Sequence, residues 1–215
     1  MATATAPLTP TADTTPAVAS VDVPLEPSGA AWVNRFPTSK SIDDCEEPFK
    51  TGLQSFVNAL EAAGAEVTIA ATYRPPERAY LMHWAYMIAK KDQDPQKVPS
   101  MDGVQIQWAH QDAEGKYSKT ASVQAAKDMV NAYGMQALNV APSLKSRHTD
   151  GKAVDMNISW SDTLKINDAE GKEVEIKTTP RTGMNTELHA VGKSYGVVKF
   201  YLGAVDKPHW SEDGK

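Results

Sequence analysis

Phe49, Leu53, Phe56, Val57 and Leu60 recur at the three-to-four spacing of one helical face. The helix they predict begins near Ile42, where Ser41 can cap it, or just after Pro48, and Gly64 supplies its stop. Residues 66–72 change period. Val67 and Ile69 alternate with polar neighbours, which predicts a strand that delivers Tyr73 and Arg74 to a turn at Pro75-Pro76. A second helix follows over 77–90, rich in Tyr80, Leu81, Trp84, Tyr86, Met87 and Ile88. The pattern then breaks. Residues 92–115 contain Pro95, Pro99 and Gly103 and read as an insertion or long loop, a kind of segment that is often functional. A third helix is expected over 118–133, stopped by Gly134. Residues 152–158 read as a short strand with Ala153, Asp155 and Asn157 on one face and Val154, Met156 and Ile158 on the other. Residues 163–167 and 172–177 suit a hairpin around Asp168-Ala169-Glu170-Gly171. A last helix over 186–195 ends at Gly196, and 197–200 is a strand. Helices first and a mostly β half afterwards predict an α+β fold, an antiparallel sheet with helices packed on one side.

Bulk properties narrow the picture. A chain of 215 residues suits one domain with a sizeable core plus a tail. Residues 1–30 are rich in Ala, Thr and Pro and are expected to be a disordered tail, with the folded domain over 31–215. Trp32 and Phe36 are expected to pack onto that domain. The first residues lack a basic n-region and a continuous apolar h-region, so no secretory signal is read there. No stretch approaches the roughly 20 apolar residues of a membrane span. The formal net charge of −5 carries no nucleic-acid signature and differs from enzymes that hold cell walls by bulk positive charge. Cys45 is alone, so an internal disulfide is impossible, and no His or Asn constellation marks it as a nucleophile. A monomer is expected.

The chemistry gathers in two short stretches, 146–155 and 206–210. They contribute His148, Asp155, Asp206 and His209 from a chain with five histidines. Zinc takes nitrogen and carboxylate ligands, and a catalytic zinc has three protein ligands and one open position. His148, Asp155 and His209 can supply the three, leaving Asp206 as a base. One straight strand would point His148 and Asp155 to opposite faces, so Thr149-Asp150-Gly151 must break it. Pro208 holds Lys207 extended, so a compact loop has to bring Asp206 near His209. His83, His110 and His189 read as structural or exposed, with His110 placed on a loop long enough to reach the site.

Ser146-x-His148-x-x-Gly151-x-Ala153-x-Asp155, followed by Asp206-x-x-His209-Trp210, resembles the zinc D-alanyl-D-alanine carboxypeptidase family. That family includes the L-alanyl-D-glutamate endopeptidases of phage endolysins. Tyr73-Arg74 resembles the family's strand-ending Tyr-Arg, and Leu188, Gly192 and Gly196 match its run-up to the last motif. The likeness spans roughly 49–210. One departure is Ala79, where relatives often carry glutamine. The resemblance implies a hedgehog/D-Ala-D-Ala peptidase-like fold with one zinc in a cleft on the sheet. It implies ligands His148, Asp155 and His209, a base at Asp206, and Arg74 holding a substrate carboxylate or the oxyanion. Ser146, Tyr73 and Trp210 are the expected substrate contacts, Tyr73 and Trp210 as cleft walls. The implied substrate is a peptidoglycan stem peptide. The site of action is then the periplasm or cell wall, reached through a lysis pore or a dedicated secretion system. Three alternatives stay open. Two histidines and a carboxylate also serve non-haem iron oxygenases. A cell-wall binding module can keep the zinc without catalysis. A structural zinc would need a fourth ligand, and Cys45 is distant in sequence.

Overall fold

The computed structural model describes residues 24–215. Its elements in chain order are β1 (Glu26–Pro27), α1 (Phe49–Ala62), β2 (Glu66–Ala71), α2 (Pro76–Lys91), β3 (Ile106–Gln107) and α3 (Lys119–Ala132). Then come β4 (Ala153–Ser159), β5 (Leu164–Asn167), β6 (Glu173–Ile176), α4 (Thr186–Ser194), β7 (Val198–Lys199) and β8 (His209–Ser211). The class is α+β, with four α-helices and antiparallel sheets among the described residues. The main sheet has the order β2-β4-β8-β7, every pairing antiparallel. β5 and β6 form the expected hairpin, and β1 pairs with β3 in parallel.

The helix starts follow from side chains that satisfy otherwise unpaired amides. Ser41 accepts from the Asp43 amide, but the element it caps is a short 3-10 turn, Ile42–Asp44, and α1 begins separately after Pro48. Ser118 caps α3, and Asn185 accepts from both the Glu187 and Leu188 amides at α4.

α1 buries Phe49, Leu53, Phe56, Val57 and Leu60, the five positions of its apolar stripe. They join Val154, Met156 and Ile158 of β4, Trp210 of β8, Leu188 and Val191 of α4, and Leu164, Ile166 and Ile176 of the hairpin in one core. Each such fully buried large side chain stabilises the fold by about 1.5–3 kcal/mol. Close approach is required where α1 meets the end of α4. A Cβ added at Gly52 would lie 2.1 Å from the Tyr195 main-chain oxygen.

The second core differs from expectation in its place. α2 and α3 pack on each other and bury Tyr80, Leu81, Tyr86, Ile88, Met129 and Val130 with Trp32, away from the sheet core. Residues 92–115, read as an insertion or long loop, supply Val104, Ile106 and Trp108 to this core. The Trp108 indole donates to the Tyr80 hydroxyl (3.1 Å), which donates to the Pro99 carbonyl (2.8 Å). The segment is fixed because its apolar residues have a helix pair to cover.

The same core claims part of the expected tail. Glu26 and Pro27 pair with β3, and Trp32 donates to the Pro27 carbonyl (3.0 Å). Ordered packing therefore includes residues before the expected boundary at 31. The rest of the expected tail lies outside the described residues.

Candidate metal centre

Cross-strand register builds the site. β4 and β8 pair so that Asp155 lies opposite His209, and β4 and β2 pair so that Asp155 lies opposite Ala71. Directly paired residues project from the same face, so Asp155 and His209 share a face although 53 residues separate them in the chain. Val154 pairs with Trp210 on the opposite, core-facing side. The β4–β8 pair thus carries Asp155 and His209 on one face and its apolar anchors on the other.

His148 arrives from a single tight turn. The Thr149 and Asp150 amides donate to the Ser146 carbonyl (3.0 and 3.2 Å), and the Gly151 amide donates to the His148 carbonyl (3.3 Å). Gly151 has φ 68°, which is the break that the spacing of His148 and Asp155 demands. The Arg74 amide donates to the His148 carbonyl (3.0 Å), so the end of β2 is tied to the same turn.

The three side chains meet. His148 Nε2, His209 Nδ1 and Asp155 Oδ1 lie 3.2 Å from one another. The two imidazoles are buried and the carboxylate is half-buried. Each ring turns its other nitrogen to a main-chain oxygen. His148 Nδ1 donates to the Thr72 carbonyl (2.6 Å), and His209 Nε2 donates to the Lys215 main-chain oxygen (3.1 Å). A neutral imidazole that donates from one nitrogen carries a lone pair on the other. Two lone pairs and a carboxylate oxygen then converge on one point, a set that repels unless positive charge sits between them. This donor set fits a metal ion: two imidazole nitrogens and one carboxylate oxygen, with tautomers set from outside.

Around the three converging side chains the other expected residues separate. Arg74 is half-buried, and its Nε is buried with no hydrogen-bond partner among the described residues. Burial lowers its pKa, and the negative charges of Asp155 and Asp206 oppose that. Ser146 Oγ is likewise buried and unpartnered. Each of these two residues thus holds an unused buried donor among the described residues. Tyr73 is half-buried at the end of β2. Asp206 is exposed on the turn into β8, where its carbonyl accepts from the His209 amide (3.3 Å).

Trp210 requires a correction. It is fully buried in the sheet core, its ring 5.7 Å from Phe56 and edge-on to His189 at 5.4 Å. Strand alternation sends it away from His209, so it anchors β8 and cannot line a cleft.

The remaining histidines lie apart from the cluster. His83 meets the Pro142 carbonyl (2.8 Å), His110 meets Ser28 Oγ (2.9 Å), and His189 meets the Gly183 carbonyl (3.0 Å). His110 secures the N-terminal segment instead of reaching the site. Cys45 is buried, and burial raises its thiol pKa to about 11, which suits a structural residue.

Sequence reasoning missed Lys199. Its side chain is buried on β7, and its ammonium donates to the carbonyls of Lys207 and His209 (2.7 Å each) and Asp206 (3.3 Å). Burial lowers its pKa to about 8. The available signal was a lysine interrupting the apolar run 197–200. The Thr72 and Lys215 main-chain oxygens had no signal at all, because any residue supplies them.

No protein-family model matches this chain, and no curated protein matches it.

Proposed function

We propose that the chain is a zinc-dependent peptidase that hydrolyses a bond in peptidoglycan stem peptides, with a hedgehog/D-Ala-D-Ala peptidase-like fold. The observation that carries the metal half is the convergence of His148 Nε2, His209 Nδ1 and Asp155 Oδ1, with both tautomers set by main-chain oxygens. The substrate half rests on the motif resemblance over 146–155 and 206–210.

Zinc at this position would supply Lewis-acid polarisation of water and of the scissile carbonyl. The chain's own residues supply the rest. Asp206 accepts a proton from the attacking water and passes it to the leaving amine. Arg74 offers its unpartnered Nε to the developing oxyanion or to a substrate carboxylate. Ser146 Oγ, also unpartnered, donates a hydrogen bond to the substrate backbone. His148 and His209 keep their ring protons on the side away from the reaction, so neither competes with Asp206 for the transferred proton.

Digestion of purified sacculi, followed by mass analysis of the released muropeptides, tests this reading. The expected result is hydrolysis products with new amino termini or lost terminal residues, abolished by a chelator and restored by zinc. Intact muropeptides with zinc bound would reduce the protein to a binding module. Restoration by iron and not by zinc would replace the hydrolase with an oxygenase.

A further inference from the structure

The turn that carries Asp206 is tied through its main chain: the Tyr201 amide donates to the Gly214 carbonyl (3.0 Å) and the Val205 amide to the Leu202 carbonyl (2.7 Å). The His209 amide bonds the Asp206 carbonyl, and the Met156 amide bonds the Pro208 carbonyl (3.0 Å), but the Asp206 side chain is exposed and the residues before it, Tyr201, Leu202 and Val205, are exposed as well. These bonds leave the Lys207 carbonyl without a main-chain donor among the described residues. Lys199 changes this. β7 is an edge strand, with Lys199 paired opposite Trp210. The Lys199 side chain crosses the Trp210 ring, with Nζ 5.3 Å from the ring centroid, and reaches three carbonyls that belong to one turn. An ammonium has three donors, and three acceptors meet it. No carboxylate pairs with Lys199 among the described residues. Leaving an ammonium buried without a counter-ion is costly, so the arrangement persists because the three carbonyls satisfy it.

We propose that Lys199 is a positioning residue: its buried ammonium, shared among the Asp206, Lys207 and His209 carbonyls, fixes the turn that presents Asp206 to the three-ligand centre. The Lys207 carbonyl has no other donor among the described residues. Removing the ammonium frees the turn at that point, while His209 keeps its place through the pairing of β8 with β4. Lys199 touches neither ligand side chains nor the reacting atoms, so it acts through Asp206. The catalytic consequence rests on the hydrolase reading; the clamp itself does not.

The test is Lys199→Met, alone and combined with Asp206→Asn, in the zinc-loaded full-length protein. Three results are expected of the single variant. Zinc stays near one per chain. Exchange of the His209 amide accelerates by roughly tenfold or more while amides of β4 are unchanged. On sacculi kcat falls about tenfold with KM held within about twofold, the signature of a lost transition-state contact. In the Asp206→Asn background the same change costs less than about twofold, because the residue it positions is already disabled. Unchanged His209 exchange overturns the clamp. A full multiplicative loss in the double variant overturns its action through Asp206. If Lys199→Met fails to fold, Lys199→Gln, with two donors for three carbonyls, must show the same changes at smaller size, and unchanged His209 exchange there overturns the clamp equally. A native protein inert on sacculi, or an Asp206→Asn variant as active as native, would bring down the hydrolase reading instead, and the His209 exchange rate would still decide the clamp.

Discussion

In the helical half of the molecule, His83 and His110 each direct a ring nitrogen to one neutral oxygen and form no ion pair among the described residues. In the sheet half, His148 and His209 each direct one nitrogen to a main-chain oxygen and the other to a shared carboxylate. Both halves bury aromatic residues, cap their helices and pack a core. The difference is what stands opposite the histidine. A single neutral acceptor completes an imidazole, so His83 and His110 finish as parts of the scaffold. A second imidazole and a carboxylate leave converging lone pairs, a donor set that fits a cation. The site is thus defined less by where histidines are buried than by how many lone pairs meet.

The largest expected effect breaks the comparison at its ligands. His148→Ala should lose bound metal and turnover together, whereas His83→Ala and His110→Ala should keep one metal per chain by elemental analysis. Full metal occupancy in His148→Ala would erase the distinction between the two halves. Asp206→Asn comes next. Its zinc should stay and its turnover should drop by roughly a hundredfold or more, the scale of a lost general base. A metal-free Asp206 variant would make Asp206 a ligand and return Asp155 to consideration as the base.

Arg74→Lys keeps the charge but loses the planar fork. A loss of about tenfold in kcat/KM is expected, smaller than the 10²–10³ that follows removal of an oxyanion donor outright. Unchanged kcat/KM would make Arg74 a bystander.

The smallest effect lies at the rim, where Arg147 pairs with Asp213 at 2.6 Å and links the His148 turn to the segment after His209. The hydrogen bond from Arg147 lowers the Asp213 pKa to about 2. A carboxylate with a depressed folded pKa adds stability above its unfolded value, near 3.9, and loses it as pH falls toward the folded value. Native protein should therefore lose its advantage over Asp213→Asn between pH of about 4 and 2, by less than about 1 kcal/mol because the pair is partly exposed. An advantage as large at pH of about 2 as at pH of about 6 would contradict this sign.

Much of the fold was legible because its causes are local. The stripe from Phe49 to Leu60, the helix stops at Gly64 and Gly134 and the hairpin over 164–176 depend on near neighbours in the chain. The ligand identities were legible for another reason: few residue types bind metals and few were present. Two things were hidden. The 92–115 segment has no period because its apolar residues serve a core made by two distant helices, so Trp108 and Ile106 read as a loop. The opposition of Asp155 to His209 depends on the register between strands far apart in sequence, which no local pattern encodes. Trp210 was misassigned for the same cause. Its neighbour His209 faces the site, and once 209–211 is a strand paired with β4, alternation turns Trp210 the other way, opposite Val154.

The central claim is that one zinc sits among three named atoms. Anomalous scattering measured across the zinc absorption edge, on crystals of the zinc-loaded protein, tests it most directly. The account predicts one peak per chain, bonded to His148 Nε2 and His209 Nδ1 at about 2.0–2.1 Å and to Asp155 at about 2.0–2.2 Å. A peak bonded through His148 Nδ1 or His209 Nε2, a peak at other residues, or an empty cluster in zinc-saturated crystals would contradict it.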